Sequence, residues 1–417
     1  MEALIIHGGV PLRGTVEISG SKNAALPILA ATVLCGGKYV LQNCPDIADV
    51  RCAAEIIEAL GGQVTRMESV LSVDTRPLCR WTVPGHLMAR MRASILFLGP
   101  LLARFGRAEL TVPGGCPLGS RPVDLHLDAV SRMGAAVTML EGRICCCGPL
   151  LHGCCIDFRF PSVGATENAL MAAVGCRGTV VIKHAAREPE ICDLIAFLQA
   201  MGAEISGSGT DTLTVSGGNV LHDTDFAVMP DRIETATYLC AAAGCGGEVT
   251  LLNADASCLM PVVDLLRKSG CEIRQDADGL HLRSPGRLQA VGEIATAPYP
   301  GFPTDAQAPL MAAMLRARGQ TRFCETVFEK RFGHVPQLLR FGAQIETAGA
   351  DAVVNGVEAL RPAQAEACDL RAAAALILAA LQAEGESRIF GLKHLYRGYD
   401  NPVEKLSSLG ASVRCVQ

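Results

Sequence analysis

The sequence predicts an α/β protein in two halves, built from six copies of a unit of about seventy residues whose first helix is enclosed by sheets. Two glycine series in phase point to it. A helix end, a Gly, a small residue and a strand start recur as Leu60-Gly61-Gly62-Gln63-Val64, Met133-Gly134-Ala135-Ala136-Val137, Met201-Gly202-Ala203-Glu204-Ile205, Ser269-Gly270-Cys271-Glu272-Ile273, Phe341-Gly342-Ala343-Gln344-Ile345 and Leu409-Gly410-Ala411-Ser412-Val413. The first glycines step by 73, 68, 68, 72 and 68 residues. Independently, runs rich in Ala and Leu end at Gly37, Gly106, Gly178, Gly247, Gly319 and Gly385, stepping by 69, 72, 69, 72 and 66. Length is the third observation: 417 residues exceed one compact core. A three-plus-three division near Val228-Met229-Pro230 gives halves of similar mass with a cleft between them.

Within a repeat the order is a small-residue helix closed by Gly, a strand, a second helix closed by Gly, and two more strands. In the fourth repeat, 230–243 reads as the first helix, Glu248–Leu252 as the strand and 260–269 as the second helix. The first helices are apolar nearly all round, which places them inside the sheets. A solenoid is disfavoured, because its usual repeat is about 20–45 residues.

Composition narrows the function. Hydrophobic residues are 49% and charged residues 19%, which excludes a chain disordered by charge. Net charge is −5, with no basic block to track a phosphate backbone, so no nucleic-acid partner is expected. Apolar runs near 372–381 and 95–103 are about ten residues, short of a bilayer span. Met1-Glu2-Ala3-Leu4-Ile5-Ile6 lacks the basic start of a signal peptide, so a cytoplasmic location is expected. Nineteen cysteines include no C-x-x-C, and Cys145-Cys146-Cys147 alternate faces on a strand, so no metal site is expected and most thiols read as small buried hydrophobes.

The starts of the six buried helices carry the chemistry: Ser21-Lys22-Asn23, Met91-Arg92-Ala93-Ser94, Ser162-Val163-Gly164-Ala165-Thr166, Pro230-Asp231-Arg232, Pro303-Thr304-Asp305 and Asp369-Leu370-Arg371. Four of the six place Lys or Arg where the helix dipole is already positive, which favours a bound anion. The competing reading makes Ser162, Asp305 and Asp369 plain N-caps with the bases turned to solvent. The segment 110–126 sets Cys116 among three glycines and three prolines, five residues before Arg121. Its thiol is either a loop cysteine or, acidified by nearby cations, a nucleophile or acid. His334 and His394, each near an Arg, read as structural or site-lining. Dinucleotide, phosphate-loop, serine-hydrolase and metalloprotease motifs are absent.

Gly20-Ser21-Lys22-Asn23-Ala24-Ala25-Leu26-Pro27, Pro113-Gly114-Gly115-Cys116 through His126, Ala186-Arg187-Glu188-Pro189-Glu190, Pro230-Asp231-Arg232-Ile233-Glu234-Thr235, Phe302-Pro303-Thr304-Asp305, Glu325-Thr326-Val327-Phe328-Glu329 with Arg331-Phe332, Asp369-Leu370-Arg371 and Arg397-Gly398-Tyr399 together resemble the bacterial UDP-N-acetylglucosamine enolpyruvyl transferases along the whole chain. The resemblance implies a two-domain inside-out α/β barrel, three repeats per domain, with 22–229 as the N-terminal domain and 1–21 plus 230–417 as the C-terminal one. It implies transfer of the enolpyruvyl group of phosphoenolpyruvate to UDP-N-acetylglucosamine, with no metal or organic cofactor and no obligate protein partner. Lys22, Arg121 and Arg397 match positions around phosphoenolpyruvate, supported by Arg92, Arg331 and Arg371. Asn23, Pro122, Val123, Asp124, Leu125, Ser162, Val163, Gly164, Asp305 and Val327 match positions that hold the nucleotide sugar. Cys116 matches the reactive cysteine, Asp369 a site carboxylate, and 113–121 a lid that closes on nucleotide-sugar binding. Phe160-Pro161 departs from members with a basic residue there. Enolpyruvylshikimate phosphate synthase shares the fold but not the Gly-Gly-Cys loop, and a silent nucleotide-sugar sensor is opposed by the joint presence of Lys22, Cys116, Asp305, Asp369 and Arg397.

Overall fold

The computed structural model describes residues 2–114 and 123–416, which form two compact units. Residues 2–19 with 230–416 make one unit and 20–114 with 123–229 the other.

Among the described residues the strands form six sheets, three in each unit. Five have four strands, and in each one pair at an edge runs parallel while the other neighbours are antiparallel. The sheet of Arg107–Thr111, Arg143–Cys147 and Ala136–Leu140 has three, and a single parallel bridge from Thr82 to Glu109 stands where the others have an edge strand. In three of these sheets chain order explains the parallel pair, which flanks the buried helix Val163–Val174, Thr304–Ala313 or Leu370–Gln382.

Two strands are exchanged and one closes the circle. Arg13–Glu17 pairs with Glu248–Leu252, and Asp225–Ala227 pairs with Lys38–Gln42. Ala3–Gly8 lies between Gly385–Phe390 and Ser412–Val416, completing the last sheet with the first strand of the chain. The glycines follow this topology. All six of the first series have φ between 80° and 106°, a conformation that an L side chain rarely adopts. In the second series Gly37 and Gly247 do not; there the constraint is space, since a Cβ would lie 2.5 Å from Asp223 Cβ and 1.9 Å from the Leu12 carbonyl oxygen. Those contacts lie just before the two exchanged strands.

In the C-terminal unit the helices Arg232–Cys245, Thr304–Ala313 and Leu370–Gln382 pack on one another, buried almost throughout. Their alanines let the axes approach, so a bulky replacement costs about 1–3 kcal/mol. The first begins two residues later than the pattern suggests and runs to Cys245, because Asp231 caps it and Gly246, with φ 72°, ends it. The second helix of that repeat is Met260–Lys268, and the strand is Glu248–Leu252.

In the N-terminal unit Lys22–Ala31 and Val163–Val174 are the corresponding buried helices. The run 95–103 does not form one helix: Arg92–Phe97 is 3₁₀ and Leu98–Phe105 is α. Asn168 of the neighbouring helix explains how the break is satisfied. Its Oδ1 accepts from Gly99 N at 2.8 Å and its Nδ2 donates to the Ile95 carbonyl at 2.9 Å, replacing the i to i−4 bond those two groups would have shared. No described helix is long and apolar enough to cross a membrane.

Candidate active site

The candidate residues cluster at starts of buried helices, where N–H groups lack partners within the helix and the dipole is positive. In the C-terminal unit Pro303 occupies the cap of Thr304–Ala313 and offers no side-chain bond, so Asp305 is the second helical residue and not an N-cap. Its carboxylate sits between two guanidiniums. Arg331 Nη2 donates to Oδ1 at 2.7 Å and Arg371 Nη2 to Oδ2 at 3.0 Å. The arginine side chains are 3% and 7% exposed, while Asp305 keeps 30%. The cations are inside and the carboxylate is the accessible edge. Burial alone would raise the Asp305 pKa, but Arg371 and then Arg331 outweigh it and hold the carboxyl far below the ordinary range. Burial also opposes the Arg371 charge, and Asp305 more than reverses that.

The cluster extends inward. Arg371 Nη1 donates to Tyr399 Oη at 3.3 Å, and Tyr399 Oη is 2.8 Å from Thr237 Oγ1. Arg331 also donates to the Thr304 carbonyl at 3.1 Å and lies over the Phe328 ring at 5.5 Å. Asp369 is a true N-cap: Oδ1 accepts from Arg371 N at 2.8 Å and Ala372 N at 2.9 Å. Capping thus engages one oxygen of this candidate carboxylate. Arg397 is half-buried, and its charge, after burial and Lys393, helps push the His394 pKa down. His334 is 1% exposed, with Nε2 3.3 Å from Met311 Sδ, and burial first lowers its pKa to about 4, so it is neutral at pH 7.

In the N-terminal unit Lys22 opens its helix, capped by Ser21, and its Nζ lies 2.7 Å from Asp49 Oδ2. Asn23 follows, half-buried. Pro27, like Pro309 in the other unit, has no N–H for the carbonyl four residues back, so the main-chain oxygens of Asn23 and Asp305 are released from helical bonding. Arg92 starts the 3₁₀ turn and donates to the Pro113 carbonyl at 3.5 Å. Val123 and Leu125 are buried at the start of Asp124–Arg132, and Asp124 pairs with Arg159. Ser162 holds the cap position of Val163–Val174 without a side-chain cap bond, and Gly164 faces His126, whose Cε1 would be 3.1 Å from an added Cβ. Cys116, Arg121 and Pro122 lie outside the described residues.

The structure therefore joins Asp305, Arg331, Arg371 and the Asp369 cap into one network. It also revises the electrostatic reading of the helix starts: Lys22 and Arg371 have carboxylate partners within their own unit, so a base there does not by itself demand a bound anion. Sequence reasoning assigned no role to Asp49, Tyr399 or Glu325. Glu325 is 4% exposed and accepts from Val327 N at 2.8 Å, while Val327 itself is 41% exposed. An acid among hydroxyl and main-chain donors leaves no spacing signal; only the unusual density of polar residues in 325–331 marks it.

The family model described as EPSP synthase (3-phosphoshikimate 1-carboxyvinyltransferase) matches residues 6–406. Proteins named UDP-N-acetylglucosamine 1-carboxyvinyltransferase from Halorhodospira halophila and Acinetobacter baylyi are each 46% identical over 417 residues, covering all of both chains. The enolpyruvyl transferase NikO from Streptomyces tendae superposes with a TM-score of 0.90 at 29% identity, covering 100% of this chain and 99% of that one. EPSP synthase from Acinetobacter baumannii, at 17% identity and a TM-score of 0.77 over all of both chains, shares the mixed α/β fold. The chain belongs to the EPSP synthase family of enolpyruvyl transferases and, within it, to the UDP-N-acetylglucosamine 1-carboxyvinyltransferases.

Proposed function

We propose that this chain transfers the enolpyruvyl group of phosphoenolpyruvate to the 3′-hydroxyl of UDP-N-acetylglucosamine, releasing phosphate, the first committed step toward peptidoglycan. The observation that carries the proposal is the 46% identity, end to end, with relatives named for carboxyvinyl transfer to UDP-N-acetylglucosamine. The chain acts as a cytoplasmic transferase on small molecules, and the chemistry calls for no metal, organic cofactor or protein partner. Residues 22–229 are assigned as the N-terminal domain and 1–21 with 230–417 as the C-terminal one. Each is read as three repeats of an inside-out α/β barrel.

The reaction is addition followed by elimination. A proton adds to the methylene carbon, the 3′-oxygen bonds to C2, and the hydroxyl proton leaves. The C2–phosphate bond then breaks and a methyl proton is removed, restoring the double bond. Cys116 is assigned as the acid and as a thiol able to form an adduct at C2. Lys22, Arg121 and Arg397 are assigned to the phosphate and carboxylate, with Arg92 in support. Asn23, Pro122, Val123, Asp124, Leu125, Ser162, Val163, Gly164 and Val327 are assigned to the nucleotide sugar, and Asp369 to the site.

The described geometry sharpens one role. A carboxylate held far below its ordinary pKa by Arg331 and Arg371 is a weak base, so Asp305 accepts the 3′-hydroxyl hydrogen bond and orients the oxygen, taking the proton only as the new bond forms. Proton NMR of the product tests the proposal. Vinyl protons on an ether at the 3′-oxygen support it, and substitution at another hydroxyl, or none, refutes it.

A further inference from the structure

Glu325 lies at the end of the strand Gln320–Cys324 and is 4% exposed. Its carboxylate takes four hydrogen bonds from three segments. Oε1 accepts from Thr296 Oγ1 at 3.0 Å, Val327 N at 2.8 Å and Phe328 N at 3.0 Å, and Oε2 accepts from Thr304 Oγ1 at 2.9 Å. Thr296 Oγ1 in turn accepts from Thr326 N at 2.8 Å. Thr304 is the residue before Asp305, and its carbonyl is one of the acceptors of Arg331. One buried carboxylate therefore ties the turn that presents Val327 to the first helical turn that presents Asp305.

We infer that Glu325 is a positioning residue for the transfer reaction, setting Asp305 relative to the Val327 turn through Thr304. The inference rests on the assignment of Asp305 and Val327 to the substrate site. A buried carboxylate satisfied by four donors is stiff, because shifting either segment strands a donor or an acceptor. Orienting a hydroxyl for attack on C2 is sensitive to such shifts, and a misplacement near 1 Å costs about 100-fold in rate.

Thr304 allows the hydrogen bond to be separated from packing. Thr304→Val keeps the shape and removes the donor; Thr304→Ser keeps the donor and removes a methyl group. The positioning role predicts that Thr304→Val lowers kcat by about tenfold or more, with a smaller change in KM for UDP-N-acetylglucosamine, and that Thr304→Ser stays within a few-fold of wild type. A purely structural role predicts the reverse order, with Val the better tolerated. Glu325→Gln, which retains the Oε1 acceptor, should keep more kcat than Glu325→Ala, and adding Thr304→Val to Glu325→Ala should cost nothing further. Asp305→Ala is the reference: if it retains wild-type turnover, the site assignment fails. If Asp305→Ala is inactive while Thr304→Val matches wild type, or Val outperforms Ser, the Glu325 inference is overturned.

Discussion

The buried helix starts of the two units solve the same electrostatic problem differently. In the C-terminal unit Asp231 and Asp369 cap their helices with carboxylates and Asp305 stands in the first turn of the third. In the N-terminal unit the cap positions are Ser21, Met91 and Ser162, only Ser21 makes a side-chain cap bond, and no first turn is acidic. One unit carries its countercharge at the helix ends; in the other Lys22 finds its countercharge off the helix start, on Asp49 of Ala48–Ala59. The difference teaches that substitutions in the first should cost stability together with activity, and in the second activity alone.

The largest expected effect belongs to Cys116, which lies outside the described residues. Fosfomycin, an anionic epoxide, should label the protein once, at Cys116, and faster with UDP-N-acetylglucosamine present. Cys116→Ser should abolish the label. Peptide mapping that finds the label spread over several of the nineteen cysteines removes the reactive-thiol assignment.

Next is the direct contrast between units. Asp305→Ala should lower kcat about 1,000-fold and, by leaving two buried guanidiniums without their carboxylate, cost about 3 kcal/mol of stability. Arg92→Ala should lower kcat/KM about 100-fold while stability stays within about 0.5 kcal/mol. Kinetics and urea melts on both variants check this; equal losses of stability would erase the contrast.

Much of this was legible in the sequence and some of it was not. Glycine spacing marks the helix ends because a positive φ or a close backbone approach leaves few residue choices, as at Gly61 and Gly247. The exchange of Arg13–Glu17 and Asp225–Ala227, and the closure of the last sheet by Ala3–Gly8, are long-range pairings that local patterns do not encode. The same holds within the site. Asp305, Arg331 and Arg371 stand out as charged residues in apolar surroundings, but their pairing spans 26 and 66 residues, and the Glu325 hub depends on four partners from three segments. The break at Leu98 reflects Asn168 on another helix, so the run 95–103 by itself reads as continuous.

Two buried groups should give acid stability slopes of opposite sign. His334, in the C-terminal unit, has a folded pKa of about 4 against 6.5 ordinarily, mainly from burial. Between those values the unfolded chain binds the proton that the folded one refuses, so stability falls as pH drops, by about 1.4 kcal/mol per pH unit at most. Asp193, in the N-terminal unit, is raised by burial from 3.8 to about 6, so the folded chain keeps a proton there and stability falls as pH rises through that window. His334→Gln should remove the first slope and Asp193→Asn the second. Urea midpoints from pH 4 to 7 that do not change slope in these directions contradict the burial argument.

The smallest effect concerns the caps themselves. Asp369→Ala removes an acceptor from two N–H groups and should cost about 1 kcal/mol. Ser162→Ala, at a cap position with no side-chain bond, should cost less than about 0.5 kcal/mol. Equal costs would mean that the carboxylate caps are not what distinguishes the C-terminal unit.

The most direct test of the account is phosphate release by the purified protein. Phosphate should appear only when phosphoenolpyruvate and UDP-N-acetylglucosamine are both present, and in step with consumption of the nucleotide sugar. No release above background with both substrates, or release from phosphoenolpyruvate alone at the same rate, would contradict it.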